Sequence, residues 1–189
     1  TITSLPADSF MGCINLKTIT VSSGKLQRFD VEFCQSLETV NLPETVKAIG
    51  KFEHCPMLKS ININEKNATF KSVDGVVYSK DGKTLVKYPA GKLASRFVIP
   101  KTVTTVYDYA FSAVNSNIKE IYIYSSVVKM GDNAFSECTA KLLFQADKVP
   151  SGCANAVKGK QTLFNQINVY APTKVSSTEK ANSLELTWE

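Results

Sequence analysis

The apolar residues of this chain recur at a spacing that is neither that of a helix nor a strict alternation. Three stretches share one order of positions, in which an apolar residue, two mostly polar ones, an apolar one, a polar one and an apolar one follow each other: INLKTITV (14–21), QSLETVNLPETV (35–46) and PMLKSINI (56–63). The cysteines that precede these stretches are 21 residues apart: Cys13, Cys34 and Cys55. Such a repeat predicts a stack of similar units that share one core.

The full repeat has the form V-x-x-I-x-x-x-x-F-x-x-C-x-x-L-x-x-I-x-I. Its copies begin at Leu5, Leu26, Val46, Val103 and Val127. Apolar residues at about every third position suit a coil whose side chains point inward, and only stacked coils can bury that inward face. The I-x-I part alternates with a period of two, which predicts a strand. The sequence therefore predicts a mainly β solenoid in which parallel strands lie about 4.8 Å apart.

The repeated cysteines occupy an inward position, where an unbonded cysteine acts as a small apolar side chain. Val114 has the same position in the fourth copy, which indicates a role in packing and not in chemistry. Side chains of one column point the same way, and this does not suit the geometry of a disulfide. We therefore predict free, buried thiols at Cys13, Cys34, Cys55 and Cys138.

Residues 64–98 interrupt the period. They contain two Asp-Gly pairs, at 74–75 and 81–82, and each lies between apolar stretches. Asp-Gly favours the tight turn of a β-hairpin, in which both central residues have positive φ. We therefore predict that VVYS (76–79) and TLVKYP (84–89) form antiparallel strands, and that the solenoid resumes at Val98.

Several short motifs accompany the repeat: Ile49-Gly50, Tyr109-Ala110-Phe111, Met130-Gly131-Asp132-Asn133-Ala134-Phe135, Leu42-Pro43 and Ile99-Pro100. Over residues 1 to about 145 the chain resembles the BspA-like class of bacterial leucine-rich repeat proteins, and the interruption resembles an insertion common in that class. Val31, in the place of the usual phenylalanine, and the fading register after Cys138 depart from the class pattern. The resemblance implies a right-handed leucine-rich-repeat solenoid with a parallel strand ladder and a β-hairpin insertion.

We expect one solenoid domain over residues 1–171, with the hairpin insertion at about 64–98, followed by a polar C-terminal strand or linker at 172–189. The stretch INVYAP (167–172) has the pattern of a last solenoid strand. The chain opens at Thr1 in mid-pattern, so we expect an upstream segment, with any signal sequence, in the whole protein. No stretch approaches the roughly 20 apolar residues of a membrane span.

The composition argues against several classes of partner and cofactor. The net charge is +5, and 20 of the 22 basic residues are scattered lysines, which suits solubility and protected strand edges. Nucleic-acid surfaces rely more on arginine interleaved with aromatic residues, so no nucleic-acid partner is predicted. The five cysteines form no CxxC pair, and no zinc site, other metal site or cofactor is predicted.

None of the candidate motifs supports catalysis. His54 and Cys55 are adjacent, but neighbours in an extended backbone point to opposite faces and do not form a base–nucleophile pair. Neither Asp-Gly pair offers the six to eight oxygens that calcium takes. Nothing in the sequence brings Glu38 and Glu120 together as the two acids of a glycosidase. Asn67-Ala68-Thr69 matches the N-glycosylation acceptor, which we interpret as accidental.

The outward side of the strand ladder is the surface with a pattern of its own. Tyrosine is a common interface anchor, although it also suits strands in general. The predicted rows, which we take as candidate partner-binding residues, are Thr18, Thr39, Ser60 and Glu120, then Thr20, Asn41, Asn62 and Tyr122, with Tyr124 beside them.

The resemblance implies an adhesin-like, non-catalytic module of a bacterial cell-surface or secreted protein. Its partner would be a protein, such as a host extracellular-matrix or surface protein. Two alternatives stay open. One is a carbohydrate-binding module with Tyr122 and Tyr124 as the aromatic platform, and the other is a structural spacer in a longer surface protein.

Overall fold

The computed structural model describes side chains for residues 5, 9–22, 24–114, 117–145 and 149–157, and the backbone alone for 168–169, 175–180 and 183–188. The strands and the helix of these residues are β1 Thr18–Thr20, β2 Arg28–Glu32, β3 Thr39–Leu42, β4 Ala48–Glu53, β5 Ser60–Ile63, β6 Phe70–Val73, β7 Val76–Ser79, β8 Thr84–Lys87, β9 Arg96–Val98, β10 Thr105–Val106, β11 Glu120–Tyr124, β12 Lys129–Met130, β13 Lys141–Gln145, α1 Cys153–Ala156, β14 Asn168–Val169, β15 Val175–Lys180 and β16 Ser183–Trp188.

The I-x-I strands of the first three coils form the predicted parallel ladder, in the order β1-β3-β5. Their inward residues Ile19, Val40 and Ile61 are aligned across the strands and buried. The register confirms a repeat of 21 residues, because Thr18 lies opposite Thr39 and Thr39 lies opposite Ser60. The chain is a stack of β coils, which confirms the predicted solenoid.

The ladder does not continue from Ser60 to Glu120, and the predicted rows are wrong at that point. A second parallel sheet has the order β9-β11-β13-β14, and in it Glu120 lies between Arg96 and Lys141. The cause is the segment 64–98: β9 belongs to it and supplies the strand that precedes β11. β14 belongs to this sheet and lies within the stretch 167–172, where we predict a last solenoid strand; the other residues of that stretch lie outside the described part of the chain.

The other side of the coils carries a second set of strands. β2 and β4 pair in parallel, with a bulge between Phe29 and Val31. A five-stranded sheet has the order β12-β10-β8-β7-β6. The pairing of β7 with β8 is antiparallel, which confirms the predicted hairpin, and β6 extends it. β8 also pairs in parallel with β10, so one strand of the hairpin is at the same time a strand of the solenoid.

The hairpin separates two apolar cores. Val77 and Val86 belong to the core of the first three coils, whereas Val76, Tyr78 and Leu85 belong to the core of the later coils. Successive residues of a strand point to opposite faces, so a strand that is buried on both sides must be apolar at consecutive positions. This is why the hairpin has continuous apolar pairs where the other strands alternate.

The prediction of a buried column of cysteines is confirmed in the interior of the stack and wrong for Cys13, at its start. Cys34, Cys55 and Cys138 are buried, as predicted, and Cys34 and Cys55 are free thiols. Cys13 is free but exposed. It belongs to the first coil of the described stack, and among the described residues a coil packs against it on one side alone, the coil of Cys34. With a described neighbour on one side alone, Cys13 is open to solvent.

Gly131, which has the same position in its repeat as Gly50, makes room for an aspartate of the preceding coil. At Gly131, an added Cβ would lie 2.5 Å from the Asp108 backbone nitrogen, too close for any side chain. The Asp108 carboxylate accepts a hydrogen bond of 2.9 Å from the backbone N–H of Asp132. Each such glycine therefore lets one coil hold the next by a carboxylate–amide hydrogen bond.

Asn67 is fully buried and holds the start of the hairpin against the third coil. Its side-chain amide donates to the carbonyl groups of Pro43 (3.3 Å) and Val46 (2.8 Å). Its carbonyl oxygen accepts from the N–H groups of Thr69 and Phe70, both at 2.8 Å. The glycosylation motif is thus enclosed in the fold, because its asparagine is a structural group without access to solvent.

The end of the chain pairs with itself. β15 and β16 form an antiparallel hairpin with Val175 opposite Trp188 and Lys180 opposite Ser183. The polar C-terminal segment predicted at 172–189 thus contains two paired strands in its described part.

Candidate functional site

The outward side chains of the first sheet form a chain of hydrogen bonds among themselves. The amide of Asn62 donates to Asn41 (2.8 Å), and the amide of Asn41 donates to the hydroxyl of Thr20 (3.0 Å). In the neighbouring row, the hydroxyl groups of Ser60 and Thr39 are 3.4 Å apart. The polar groups of this face are therefore largely satisfied within the protein.

Beside that row, Lys59 and Glu38 form an ion pair of 2.7 Å. The hydrogen bond and charge of Lys59 lower the pKa of the Glu38 carboxyl. Both side chains are well exposed, so the pair contributes little to stability. Glu38 comes directly before β3 of the first sheet, Glu120 is in β11 of the second, and each has its own cation, so the structure does not bring them together.

The outward face of the second sheet has a different character. Its first row alternates in charge, with Arg96, Glu120 and Lys141 side by side on β9, β11 and β13. The second row has Val98, Tyr122 and Leu143 on the same three strands, and Asn168 of β14 lies opposite Leu143 at the end of the row.

Tyr124 and Gln145 form the third row. Tyr122 and Tyr124 are both half-buried, and Leu143 is 4% exposed although it is on the outward side. An apolar strip therefore crosses β9, β11 and β13 between a charged row and a polar one.

The two tyrosine rings each carry a cation over one face. The guanidinium of Arg96 is 5.0 Å from the centre of the Tyr122 ring, and the ammonium of Lys101 is 5.1 Å from that of Tyr124. Arg96 also donates to the Glu120 carboxylate (3.3 Å), and the Tyr122 hydroxyl donates to the same oxygen (3.3 Å). These contacts hold both rings in place.

The turn between β6 and β7 lies beside β5, because the Gly75 carbonyl accepts from the N–H of Ile61. The Lys92 ammonium holds this turn by an ion pair with the Asp74 carboxylate (2.8 Å) and a hydrogen bond to the Asp74 carbonyl (2.6 Å). Two large apolar side chains are exposed near this contact, Val73 at 55% and Leu93 at 77%. The turn therefore has exposed apolar surface beside it.

Lys87 is the one fully buried ammonium among the described residues, and sequence analysis missed it. It donates to the Tyr109 carbonyl (2.7 Å) and to the Ser112 hydroxyl (2.8 Å). Burial lowers its pKa to about 7, although the nearby Glu53 carboxylate opposes the shift. No sequence motif marks this position, because Lys87 sits in a strand whose neighbours come from distant parts of the chain.

The described residues offer no catalytic or metal-binding arrangement. His54 stacks on the ring of Phe33 with 4.5 Å between the ring centres, on the outside of the turn. Cys55 points into the core, where burial raises the pKa of its thiol to about 11. In the described part of the chain there is no group of three or more histidine, cysteine or acidic side chains that could hold a metal. None of the helices described there is long and apolar enough to cross a membrane.

The nine predicted binding residues thus form two groups. Six are on the first sheet, and Glu120, Tyr122 and Tyr124 are on the second. Sequence analysis missed Arg96, Val98 and Leu143, which adjoin Glu120 and Tyr122. The signal for β9 was present: Phe97, Ile99 and Pro100 repeat the apolar-x-apolar-proline pattern that ends the second coil at Pro43.

The repeat matches a known family. A family model described as BspA type leucine rich repeat region matches residues 1–74 and 90–175, with six copies. A search of curated proteins found no match.

Solved structures with the same fold come from bacterial proteins. One is a leucine-rich repeat protein from Eubacterium ventriosum, with 24% identity, a TM-score of 0.50, and coverage of 81% of this chain and 62% of that chain. A second is the pneumococcal vaccine antigen PcpA, with 26% identity, a TM-score of 0.54, and coverage of 75% and 40%. A third is a leucine rich cell surface protein from Faecalibacterium prausnitzii, with 21% identity, a TM-score of 0.55, and coverage of 77% and 47%.

This chain therefore spans between 40% and 62% of the length of the structures that it resembles. The stacked coils, the parallel ladders and the match over most of the sequence lead to one conclusion: the chain belongs to the family of BspA type leucine-rich repeat proteins.

Proposed function

We propose that this chain is a non-catalytic binding module of a bacterial cell-surface or secreted protein, and that the outward face of its second sheet contacts a protein partner. The residues that would make the contact are Tyr122 and Tyr124, with Arg96 and Val98 beside them. The observation that carries the proposal is the apolar row Val98, Tyr122 and Leu143 on the outer side of a solenoid sheet.

The contrast between the two sheets supports the choice of face. On the first sheet, Thr20, Asn41 and Asn62 bond to each other, so a partner would have to break existing hydrogen bonds to gain new ones. On the second sheet, fixed tyrosine rings offer large apolar area at a small loss of side-chain freedom, which is typical of interface anchors. The predicted residues of the first sheet are thus secondary candidates in this proposal.

The cations over the rings favour a protein over a glycan. A sugar stacks on the open face of an aromatic ring, but Arg96 and Lys101 already lie over Tyr122 and Tyr124. A protein can instead contact ring edges, the arginine and the apolar row together. Two of the similar solved structures support a location of this chain at the cell surface. One is described as a cell surface protein and the other as a vaccine antigen.

The test is binding of the purified chain to a panel of purified host extracellular-matrix proteins by biolayer interferometry, beside a glycan array. We expect at least one protein of the panel to bind. Tyr122→Ala should weaken that binding about tenfold or more, which is the usual loss at an interface anchor. Tyr122→Phe should retain most of it, because the ring stays and the hydroxyl contact to Glu120 is internal.

The matched control is Asn41→Ala on the first sheet, which should change binding less than Tyr122→Ala does. Glycan binding that depends on Tyr122 would replace the protein partner by a carbohydrate. Equal binding of all variants, or no binding by the intact chain to any member of the panel or the array, would contradict the proposal and favour a structural spacer.

A further inference from the structure

β9 is an edge strand whose outer backbone groups lack partners in the described part of the chain. The N–H of Ile99 donates to the Tyr122 carbonyl, and the Ser95 carbonyl accepts from the N–H of Glu120. In a parallel ladder, backbone groups of alternate residues face opposite neighbours. The odd-numbered residues of this segment therefore face β11, and the N–H and C=O groups of Arg96 and Val98 point to the other side.

The two strands that flank the break between the sheets differ in this respect. The edge of β5 is closed, because the N–H of Ile61 donates to the Gly75 carbonyl (3.0 Å) and its carbonyl accepts from the Ser72 hydroxyl (2.8 Å). Within the described residues β9 pairs with β11 alone. The side chains at its edge are also open, with Arg96 at 61% and Val98 at 42% exposure.

Unpaired strand edges bind extended peptides, since a further strand satisfies their N–H and C=O groups. The rows across the sheet indicate which residues such a strand would carry. The first row has the charges Lys141, Glu120 and Arg96 in order, so the next place in an alternating row is an acid beside Arg96. The second row is Leu143, Tyr122 and Val98, so the next place in it is apolar.

We propose that the open edge of β9 binds an extended, acidic polypeptide segment by strand addition. The segment has an acidic and an apolar residue two positions apart, so that both are on the outward side of the enlarged sheet. Leu93 and Val73, which adjoin the ion-paired Lys92 and Asp74 in sequence, are exposed as well. The site goes beyond the proposed ring face because the backbone of Arg96 and Val98, and not the tyrosines, makes the main contact.

The probe is the blocked heptapeptide Ser-Thr-Glu-Val-Tyr-Thr-Ser, added to the uniformly ¹⁵N-labelled chain. We expect it to shift the amide signals of Arg96 and Val98 and to slow hydrogen exchange at the N–H of Val98. A peptide with lysine in place of glutamate should bind about tenfold more weakly, because it places a cation beside Arg96. A version with N-methyl groups on alternate residues should not bind.

Val98→Pro tests the backbone contact directly. The N–H of Val98 points away from β11, so proline removes no hydrogen bond of the folded protein, and proline is tolerated at such an edge position. We expect about tenfold or greater loss of peptide affinity. Val98→Thr retains the N–H and should bind within about threefold of the parent chain.

Tyr122→Ala distinguishes binding at the edge of β9 from binding at the face with the tyrosine rings. It should reduce peptide binding less than Val98→Pro does, even if it abolishes binding of a larger protein partner. The proposal is overturned if Val98→Pro binds the heptapeptide as tightly as the parent chain, if the lysine peptide binds equally well, or if the amide shifts lie outside β9 and its neighbours. It is equally overturned if no shift occurs at millimolar peptide, or if sulfated oligosaccharide alone shifts these amides.

Discussion

The two cores of this solenoid are built from the same repeat but use their aromatic residues differently. In the first core, the rings of Phe29 and Phe52 meet at 47° with 5.8 Å between their centres. In the second core, Phe111 and Phe135 are nearly parallel at 7° and 5.0 Å, and Tyr88 stacks on the other side of Phe111. The second core thus has a column of nearly parallel rings. In the first core the rings of Phe10, Phe29 and Phe52 meet at 40° and 47°, and Val31 takes one of the phenylalanine positions of the repeat.

The comparison extends to the surfaces. The first half has a closed polar row on its outer face and a closed edge at β5, whereas the second half has an apolar row and an open edge at β9. The inward positions of the repeat are under the constraint of stacking, but the outward ones are not. One repeat can therefore supply a well-satisfied half and a half that is suited to binding.

The largest expected effect is a loss of stability that is confined mainly to one of the two cores. Phe111→Ala removes a ring that contacts both Tyr88 and Phe135, and it should lower the free energy of unfolding by about 3–5 kcal/mol. Because each coil depends mainly on its neighbours, we expect hydrogen-exchange protection to fall more at Ile121 than at Val40. Phe52→Ala is the matched control, with the opposite pattern. Equal loss in both halves would show that the hairpin joins the cores into one cooperative unit.

The second prediction uses the buried ammonium at the hairpin. The pKa of Lys87 is about 7 in the folded chain against an ordinary value of 10.5, so the unfolded chain binds the proton more readily between these values. Stability should therefore rise with pH, by at most about 1.4 kcal/mol per pH unit, or about 2–3 kcal/mol from pH 7 to pH 9. Urea unfolding at each pH measures this.

Lys87→Met should abolish most of that slope, and the Tyr109 carbonyl retains a donor in Ser112. The exposed Lys83→Met should leave the slope as it is. Measurements must stop near pH 9, because burial raises the pKa of the Cys55 thiol to about 11, and stability from the thiol is lost once unfolded cysteines ionise. A slope that is the same in the parent chain and Lys87→Met would refute the assignment.

The third prediction compares the equivalent glycines of two repeats, in Ile49-Gly50 and Met130-Gly131. At Gly131 an added methyl group meets backbone atoms of Asp108 and Tyr107, whereas at Gly50 the nearest atoms all belong to the side chains of Asp30 and Arg28. Side chains can move aside and backbone cannot. Gly131→Ala should therefore cost about 2–3 kcal/mol and Gly50→Ala about 1 kcal/mol in thermal or urea unfolding. The reverse order would be inconsistent with this account.

The smallest expected effects on stability distinguish the buried cysteine Cys34 from the exposed Cys13. Cys34 donates to the Phe10 carbonyl at 2.9 Å, and a serine hydroxyl can do the same, so Cys34→Ser should cost about 1 kcal/mol. Cys13→Ser should be neutral within about 0.5 kcal/mol, because Cys13 is exposed. Alkylation of the native protein followed by mass spectrometry should label Cys13 promptly and leave Cys34 and Cys55 unlabelled. Prompt labelling of Cys34 would contradict its place in the core.

The sequence alone was enough for the repeating part of the fold. The spacing of Ile19, Val40 and Ile61 determines the register of β1, β3 and β5, because each inward residue must meet its equivalent in the next coil. The Asp-Gly turn at 81–82 determines the hairpin, because that dipeptide selects a backbone conformation by itself. The inward place of Cys34 follows from the same period. All three features depend on the spacing or identity of residues along the chain, and these can be read directly from the sequence.

Only the tertiary structure decided which outward residues are neighbours. Arg96 and Val98 come between the first sheet and Tyr122 because the chain from 64 to 98 closes the edge of β5 and then supplies a strand to the second sheet. Cys13 has the pattern of a core residue, but its exposure depends on whether a second coil covers it. Burial of Lys87 likewise depends on Tyr109 and Ser112, more than 20 residues away. Which strands and side chains become neighbours depends on where the segment between two coils ends in three dimensions. The repeat pattern of a sequence contains no information about that position.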